Sequence, residues 1–438
     1  MEFAERHHSA AGGRSSRIIT VRVPDSRAAT LLCLTVGDLL AGLSVAVVLR
    51  AIAGPSATTP WLLAGFLGFY AAVVALGLYP GRGIFGPERI RLRALASLIA
   101  FLPPALVSGL WTGMWAADLL QCVAFGLGVF LLSAFFETAI INLLVSADLW
   151  QVDVIVVGDP SATKNVQTDL TLFPDMGLRP ATQQPARSEP ETVNLHARKD
   201  RRETREYMVD SSAPLPTLYS VKQASVTSRP GGGVQMLIKR AIDFLAALFL
   251  IILTSPVLIF TGLLIAAYDG KPIIFKQTRG GKDGTDFQVW KFRSMYKDAP
   301  ARLNSVLASD PALQEEWSRF FKLRKDPRIL PVIGNFIRRT SIDELPQLWN
   351  VLKGEMSLVG PRPFPHNHLD AFSADFQRIR HRVLPGITGL WQVTLRSDGD
   401  LEMQERLDTA YVQGWSLWLD LYILFRTPIV LLSSRGAR

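Results

Sequence analysis

The sequence has few cysteines and few charged residues. Two cysteines, Cys33 and Cys122, occur among 438 residues, and charged residues make up 19%. Both cysteines lie in apolar runs, so the sequence predicts no disulfide framework and no need for an oxidising compartment. Hydrophobic residues make up 48%, and the mean hydropathy is +0.21. This mixture is too apolar for a purely soluble enzyme and too charged for a simple channel.

Acidic residues are outnumbered by basic ones. The formal net charge is +9 at pH 7, and the pI is near 9.7. A basic chain suits anionic lipid surfaces, phosphate-bearing substrates or nucleic acid. No nucleic-acid-binding motif follows along the chain, so we expect no nucleic-acid partner.

Four long apolar runs occupy the first third of the chain, at residues 29–53, 61–78, 94–111 and 119–145. Each is close to the roughly 20 residues that a membrane-crossing helix needs. The first run is too long for a signal-peptide core and has no convincing cleavage site after it, which favours a retained anchor. The sequence therefore predicts four transmembrane helices.

Basic residues alternate between the ends of these runs. The N-terminal tail and the loop between the second and third runs carry them, whereas the other two connections carry none. This alternation places the N-terminus and everything after residue 150 in the cytoplasm. The residues concerned are Arg6, Arg14, Arg17, Arg22, Arg27, Arg82, Arg89, Arg91 and Arg93.

Two acids, Asp38 and Glu137, lie inside the apolar runs. Intramembrane acids can mark a proton-coupled transport pathway. We find no facing basic partner in the sequence, and two isolated acids make a poor pathway. Hydrogen bonding between helices is the favoured interpretation.

The segment after the fourth run begins with VDVIVVG (152–158), which is typical of a buried strand. The phosphate-binding pattern GxGxxG is absent, so we expect a small Rossmann-like remnant without a working dinucleotide site. Residues 181–233 are rich in Pro, Ser, Thr, Arg and Glu, and they include the charged run HARKDRRETR. This composition predicts a mobile, solvated linker.

A fifth apolar run, from Phe244 to Ala267, contains Ser255-Pro256 near its middle. Proline bends a helix by removing a backbone donor, and a nearby serine can bond the freed carbonyl. Basic residues stand at both ends of the run, which favours a re-entrant helix that enters and leaves by one leaflet. A proline-kinked fifth span remains the alternative. The basic residues are Lys239, Arg240, Lys271, Lys276 and Arg279.

Arginines recur beside glycine or proline in the last third of the chain, in TRGG (278–281), KFRS (291–294), DPRI (326–329), IRRT (337–340) and GPRP (360–363). The planar guanidinium suits bidentate contacts with phosphate. Five such motifs within 85 residues favour a polyanionic substrate. Residues 400–425 carry two tryptophans among leucines, as helices seated at a membrane interface do.

Asp343 and Glu344 stand together in RRTSIDELPQLWN (338–350), flanked by arginines. Ser341-x-x-Glu344 matches a capping box at a helix start, and Pro346 fits the same position. Two carboxylates at a helix terminus could also hold Mg²⁺ on a diphosphate, and one of them could attack phosphorus. Capping and catalysis can coexist at this turn.

Residues 236 to about 430 resemble the bacterial sugar transferases, the monotopic polyprenyl-phosphate phosphoglycosyl transferases. The resemblance rests on KRAID, the mid-helix Ser-Pro, FKQTRGG, VWKFRSM, DPRI, SIDELPQLWNVLKGEMSLVGPRP and LPGITGLWQV. The preceding spans and GLYPGRGIFGPERIR (77–91) resemble the large subgroup of this family, which includes undecaprenyl-phosphate galactose phosphotransferases.

The resemblance implies a ping-pong reaction. Asp343 would attack the β-phosphate of a UDP-sugar, galactose or glucose, releasing UMP and holding a sugar-phosphate that undecaprenyl phosphate then takes. Mg²⁺, bound by Glu344 and Asp343, would be the cofactor. Phosphate contacts would come from Lys291, Arg293, Arg338, Arg362 and Arg279, and Ser255 with Pro256 would match the break in the re-entrant helix.

The resemblance also implies a setting in the bacterial inner membrane, with the catalytic domain on the cytoplasmic side, at the first step of exopolysaccharide, capsule or O-antigen synthesis. Leu395 and Gly414 depart from the residues usual in the family. The middle domain is shorter than usual for the subgroup. A homodimer through the membrane and middle regions is compatible with the sequence, and a non-catalytic scaffold for polysaccharide assembly is the alternative function.

The predicted fold is thus an α-helical membrane protein with an α+β cytoplasmic catalytic domain and interface helices. The predicted segments are a cytoplasmic tail (1–28), the four-helix transmembrane domain (29–148), a truncated α/β middle domain (149–180), a flexible linker (181–234), the re-entrant helix (235–270) and the catalytic domain (271–438).

Overall fold

The structure is a computed structural model of the chain. It describes residues 15–20, 27–53, 59–79, 81–113, 115–157, 160–180, 206–210, 218–220, 233–320, 323, 326–370, 372–395 and 401–432. The charged run HARKDRRETR lies outside the described residues. The chain divides into two compact units, Met1–Thr227 and Ser228–Arg438.

Four helices form the core of the first unit: α1 Arg27–Ala53, α2 Thr59–Ala75, α3 Gly86–Thr112 and α4 Trp115–Ser146. They pack around side chains that include Phe69, Val73 and Phe101, while many leucines face outward. By length and composition, α1, α3 and α4 could cross a membrane. The α2 helix has 17 residues, about 26 Å, and is shorter than the apolar run that predicts it.

A five-stranded sheet completes the first unit. Its strands are β1 Ser15–Thr20, β2 Val152–Val157, β3 Leu178–Pro180, β4 Glu206–Asp210 and β5 Leu218–Ser220, with helix α5 Pro160–Leu172 between β2 and β3. The order is β3-β2-β1-β4-β5. The β2–β3 pair is parallel, and the other pairs are antiparallel. The sheet is therefore mixed, with one parallel βαβ unit.

The sheet corrects two predicted boundaries. The predicted tail (1–28) supplies the central strand β1, and the predicted linker (181–234) supplies β4 and β5. Because β1 precedes the four helices and pairs with β2, which follows them, both ends of the helical bundle lie on one side. An even number of membrane crossings requires this arrangement.

A buried charge cluster joins the helices of the first unit. Arg93 bonds Asp38 (2.7 Å) and Glu137 (2.7 Å), and Arg89 also bonds Glu137. All four side chains are almost completely buried. The expected bonding between helices is confirmed, but the premise that Asp38 and Glu137 lack basic partners is wrong, because those partners approach from the neighbouring helix α3. Since these charges neutralise each other, Arg89 and Arg93 also add less to the topology signal than the sequence count suggests.

The second unit begins with one continuous helix, α6 Gly233–Asp269, which contains Pro256. Proline cannot donate to Ile252 O four residues earlier, and the Ser255 hydroxyl donates to that carbonyl instead at 2.8 Å. The expectation that serine compensates the proline is confirmed. Large apolar side chains along the middle of α6, such as Phe249 and Ile252, are more than half exposed.

The rest of the second unit consists of short elements. The strands are β6 Ile274–Gly280, β7 Asp286–Phe292, β8 Ser357–Val359 and β9 Gly386–Thr388. The helices are α7 Ala299–Ser309, α8 Pro311–Phe320, α9 Ile333–Arg339, α10 Gln347–Lys353, α11 His366–Leu369, α12 Ala374–Arg380, α13 Leu390–Thr394, α14 Leu401–Gln413 and α15 Leu417–Leu432. Strands β6 and β7 form an antiparallel hairpin, whereas β8 and β9 are parallel.

The start of α6 is fastened to this body by the KRAID motif. Lys239 bonds Asp420 at 2.6 Å, and Arg240 donates to the carbonyls of Val351 and Leu352 at the end of α10. A cation at this position complements the helix dipole. The two basic side chains are therefore bound by protein groups of the second unit.

Candidate active site

The acid pair lies in a single 3₁₀ turn, Ile342–Glu344, between α9 and α10. Ser341 precedes the turn with φ +56°, a left-handed conformation that costs a non-glycine residue about 1–2 kcal/mol. Its side chain makes no capping hydrogen bond. The predicted capping box is therefore absent, whereas Pro346 does stand at the start of α10 as predicted.

The carboxylate of Glu344 faces two cations instead. Lys291 Nζ on β7 lies 2.8 Å from Glu344 Oε1, and Arg362 Nη2 lies 2.6 Å from the same oxygen. Burial alone would raise the pKa of Glu344, but the charges of Arg362 and Lys291 hold it well below its ordinary value. Glu344 is therefore ionised and fixed in place.

Asp343 stands beside this locked carboxylate but makes no hydrogen bond or ion pair with any described residue. Burial raises the pKa of Asp343 above its ordinary value; Lys291 opposes this shift, and the negative charge of Glu344 reinforces it. An unpaired carboxylate held close to several cations can approach an electrophile that those cations attract. Adjacent acids thus have different environments and can have different roles.

Arg362 reaches the acid pair from the GPRP segment after β8. Its own carbonyl accepts a hydrogen bond from Arg380 Nη2, and the Arg380 guanidinium is buried over the ring of Phe364, 4.5 Å from its centroid. Arg380 thus holds the backbone of the residue that binds Glu344. Arg380 is not among the residues that the sequence predicts for the site, although it lies in the basic run QRIRHR (377–382), which could have indicated it.

The structure brings most of the other predicted cations to the same place. Arg279 interacts electrostatically with both Arg362 and Glu344. Burial of Arg279, together with the positive charge of Arg362, lowers the pKa of Arg279 to about 10. The exposed side chain of Arg338 lowers the pKa of Asp343. Arg279 and Arg338 are more available to a phosphate-bearing ligand than Lys291 and Arg362, because the latter two already bond Glu344.

Arg293 is placed differently from the expectation. Its guanidinium bonds Asp269 and the carbonyls of Gly270 (2.7 Å) and Pro272 (2.7 Å), where the chain leaves α6. Only 5% of its side chain is exposed. In this arrangement Arg293 fastens the end of α6 to β7 and has little capacity left for a phosphate.

One groove connects these residues. The acid pair, Lys291, Arg279, Arg338 and Arg362 all line it. Its lining also includes Leu250 and Thr254 of α6 and residues of α13 and α14. The groove therefore combines a cationic centre with an apolar stretch beside the membrane-type helix.

Three or more His, Cys, Asp or Glu side chains do not come together as a metal site anywhere in the described part of the chain. Mg²⁺, however, is commonly held by one or two carboxylates together with substrate phosphates. Glu344 already has two cationic partners, and Asp343 has a carboxylate without a partner. The residues present therefore fit a magnesium ion that is shared with a diphosphate, and not a dedicated protein cage.

Comparison with known proteins identifies the family. Residues 234–434 match the bacterial sugar transferase family. The exopolysaccharide production protein ExoY of Sinorhizobium fredii is 38% identical over 232 residues, which are 52% of this chain and 100% of that protein. The chain belongs to the bacterial sugar transferase family.

Two longer relatives share the same region. Undecaprenyl-phosphate galactose phosphotransferase of Salmonella typhimurium is 44% identical over 200 residues, 46% of this chain and 41% of that protein. UDP-glucose:undecaprenyl-phosphate glucose-1-phosphate transferase of Escherichia coli is 40% identical over 220 residues, 49% of this chain and 44% of that protein. The match thus spans less than half the length of these two sugar transferases.

Proposed function

We propose that this protein transfers a hexose-1-phosphate from a UDP-sugar to undecaprenyl phosphate. A carboxylate oxygen of Asp343 forms a bond to the β-phosphorus, and the bond from that phosphorus to the bridging oxygen breaks, so that UMP leaves with the electron pair. A phosphate oxygen of undecaprenyl phosphate then attacks the same phosphorus and releases the Asp343 carboxylate.

The observation that carries this proposal is the difference between the two acids. Glu344 is bound by Lys291 and Arg362, which leaves it unable to attack, whereas the carboxylate of Asp343 has no partner among the described residues. The names of the Salmonella and Escherichia coli relatives supply the substrate class, a UDP-hexose and undecaprenyl phosphate.

The cations around the pair have two tasks in this reaction. Lys291 and Arg362 hold Glu344 and keep positive charge beside the attacked phosphorus, where negative charge accumulates during transfer. Arg279 and Arg338, which line the same groove, contact the diphosphate. Arg293 stays at the end of α6 and acts only through the fold.

Magnesium belongs to the proposal as a cofactor. Asp343 and Glu344 would hold it together with the diphosphate, and it would offset the charge of the leaving UMP. The Glu344→Gln variant should fold normally but lose its response to Mg²⁺ in the UMP-release assay. A Mg²⁺ titration that matches the wild type would remove Glu344 from the metal site.

We also propose that α6 is re-entrant and that the transfer takes place at the cytoplasmic face of the inner membrane. Lys239 near its start bonds Asp420, and Asp269 at its end bonds Arg293, so the body of the second unit binds both ends. A straight helix between these two residues would be about 45 Å long, longer than the roughly 30 Å hydrocarbon core of a bilayer. One body at one face can bind both ends if the exposed apolar middle dips into the bilayer and returns.

The transfer reaction is tested with purified full-length protein and a panel of UDP-sugars. In the absence of lipid, one equivalent of UMP should appear as a burst, and sugar-phosphate should remain on the protein. Turnover should follow when undecaprenyl phosphate is added. A protein that releases no UMP with any UDP-sugar would favour the scaffold alternative, in which the acids are dispensable.

The membrane arrangement is tested by thiol labelling. From a variant with Cys33 and Cys122 replaced, single cysteines are introduced at Gln235 in the first turn of α6 or at Lys282 after the helix, both exposed positions. In intact cells an impermeant reagent should label neither, and in inside-out vesicles it should label both. Labelling of the two positions from opposite sides would establish a fifth span and remove the re-entrant proposal. Light scattering of the purified protein in detergent reports whether it is a homodimer.

A further inference from the structure

The groove is also lined by residues of β9 and of the short helix that follows it. Strands β8 and β9 are parallel, with Val359 opposite Thr388. Three residues after these partners come Arg362 and Trp391, respectively. Ligands commonly bind outside the carboxyl ends of parallel strands. Here the chain after β8 carries Arg362, which bonds Glu344, and the chain after β9 forms helix α13.

Helix α13 is pressed against the GPRP segment. A Cβ atom at Gly389, the residue before the helix, would overlap the carbonyl of Gly360. Gly360 is two residues before Arg362, and Gly389 is two residues before Trp391. The short helix therefore lies next to the segment that reaches the acid pair.

Two polar atoms of α13 have no hydrogen-bond partner among the described residues. They are the indole Nε1 of Trp391, a donor, and the amide Oε1 of Gln392, an acceptor. The Trp391 side chain is 5% exposed, and both residues line the groove. A buried polar group without a partner costs about 1–3 kcal/mol, so two such atoms on consecutive residues that line a groove need an explanation.

The amide of Gln392 is oriented by its other end, because its Nε2 donates to the carbonyl of Ile387 at 3.2 Å. This bond assigns the nitrogen and the oxygen of the amide, and Oε1 is therefore the atom that can accept a hydrogen bond from a ligand. Trp391 can only donate. The pair therefore offers one donor and one acceptor to a ligand group that both accepts and donates.

We propose that Trp391 and Gln392 form a neutral recognition subsite for the nucleotide sugar, beside the cationic centre that binds its diphosphate. The chemistry it takes is a group that accepts from Trp391 and donates to Gln392, which is a hexose hydroxyl or the imide edge of uracil. Both atoms are shielded from water in the ligand-free groove, so a small side-chain rotation accompanies binding. This inference rests on the proposed function.

The test measures ligand affinity and not turnover. Full-length protein carrying Asp343→Asn, in which the covalent step is blocked, is titrated by calorimetry with a UDP-hexose and separately with UMP. Trp391→Phe keeps an aromatic ring without the donor, and Gln392→Met keeps the length without the acceptor. The controls are Trp349→Phe and Gln413→Met, at exposed positions outside the groove.

Each subsite variant should weaken binding of the UDP-hexose about 3- to 10-fold, the loss expected for one neutral hydrogen bond, and the controls should not. If the subsite variants bind UMP with unchanged affinity, the contacted group is on the hexose. If their affinity for UMP falls by the same factor, the contacted group is on the uridine. Unchanged affinity for both ligands in both variants, with normal thermal unfolding, would overturn the subsite. Absence of UDP-hexose binding to the Asp343→Asn parent would instead refute the proposed function itself.

Discussion

Two groups of buried charge, one in each unit of the molecule, differ in how completely their acids are paired. In the first unit, Arg93 and Arg89 satisfy both Asp38 and Glu137. In the second, Lys291 and Arg362 converge on one acid, Glu344, and the adjacent Asp343 has no partner among the described residues. Two cations and two acids thus make a closed cluster in one place and an open one in the other.

The difference indicates what each cluster is for. A closed cluster has no charge left over for a ligand, and it fixes which helix faces meet. An open cluster keeps one carboxylate available and surrounds it with positive charge. We therefore expect disruption of the first cluster to change stability and disruption of the second to change chemistry.

The largest expected effect is on chemistry. Asp343→Asn removes the nucleophile and should lower UMP release by about 10⁴-fold or more, with the unfolding temperature close to that of the wild type. Asp375→Asn, at an exposed acid of α12, is the matched control and should keep full activity. A variant that retains more than a tenth of the activity would show that Asp343 is not the nucleophile.

The closed cluster is broken by Arg93→Met, which leaves Asp38 and Glu137 with one cation between them. Removing one partner of a buried ion pair costs about 3–5 kcal/mol, so the free energy of unfolding should fall by that amount in detergent. Arg91→Met, on the same helix but at a half-exposed pair with Glu88, should change it by less than about 1 kcal/mol. Equal effects of the two variants would contradict a structural role for the closed cluster.

Another buried acid extends the comparison, because Asp408 of α14 has no hydrogen-bond partner among the described residues. Burial, opposed by Arg380, raises the pKa of Asp408 to about 7. Between the ordinary aspartate pKa and about pH 7, Asp408 is therefore protonated in the native state and ionised in the unfolded state. The free energy of unfolding falls as the pH rises through that range. Asp408→Asn should remove this fall, so its stability relative to the wild type should be about 4 kcal/mol greater at pH 8 than at pH 4. Parallel stability curves from chemical denaturation at the two pH values would contradict the assignment.

The smallest expected effect is a shift in a pH profile. Asp343 must be ionised to attack, and Glu344 raises its pKa while Lys291 lowers it. Glu344→Gln should therefore move the acidic limb of kcat/KM to lower pH, and Lys291→Met should move it to higher pH. Shifts in the same direction for both variants would mean that the limb does not report Asp343.

The sequence predicted local features better than distant contacts. The apolar runs predicted α1, α3 and α4, VDVIVV predicted β2, and Ser255 was expected to compensate Pro256. The ion pairs of Asp38 and Glu137 were missed because their partners are 44 residues or more away in the chain. Strands β1, β4 and β5 were missed for the same reason, since short polar segments become strands only when distant segments pair with them.

At the active site, the sequence predicted which residues meet but not what each one does there. Capping chemistry suggested that Glu344 would bond the helix start at Ser341, yet two cations compete for its carboxylate and bind it more strongly. Arg293 looked like a phosphate contact because of its motif, but it lies where the carbonyls at the end of α6 need a donor. Motifs therefore indicate the composition of a site, whereas the division of roles depends on burial and on the nearest charges.

The close approach of β8 and β9 has a consequence for interpreting mutations. A Cβ atom at Gly386 would overlap the backbone of Gly360, and one at Gly360 would overlap the carbonyl of Leu384. Alanine at either glycine would push apart the two segments that end in Arg362 and Trp391. Such a variant would lose activity without having lost any group that touches substrate, so in a mutational scan these glycines would be indistinguishable from catalytic residues unless the distance between the segments is measured as well.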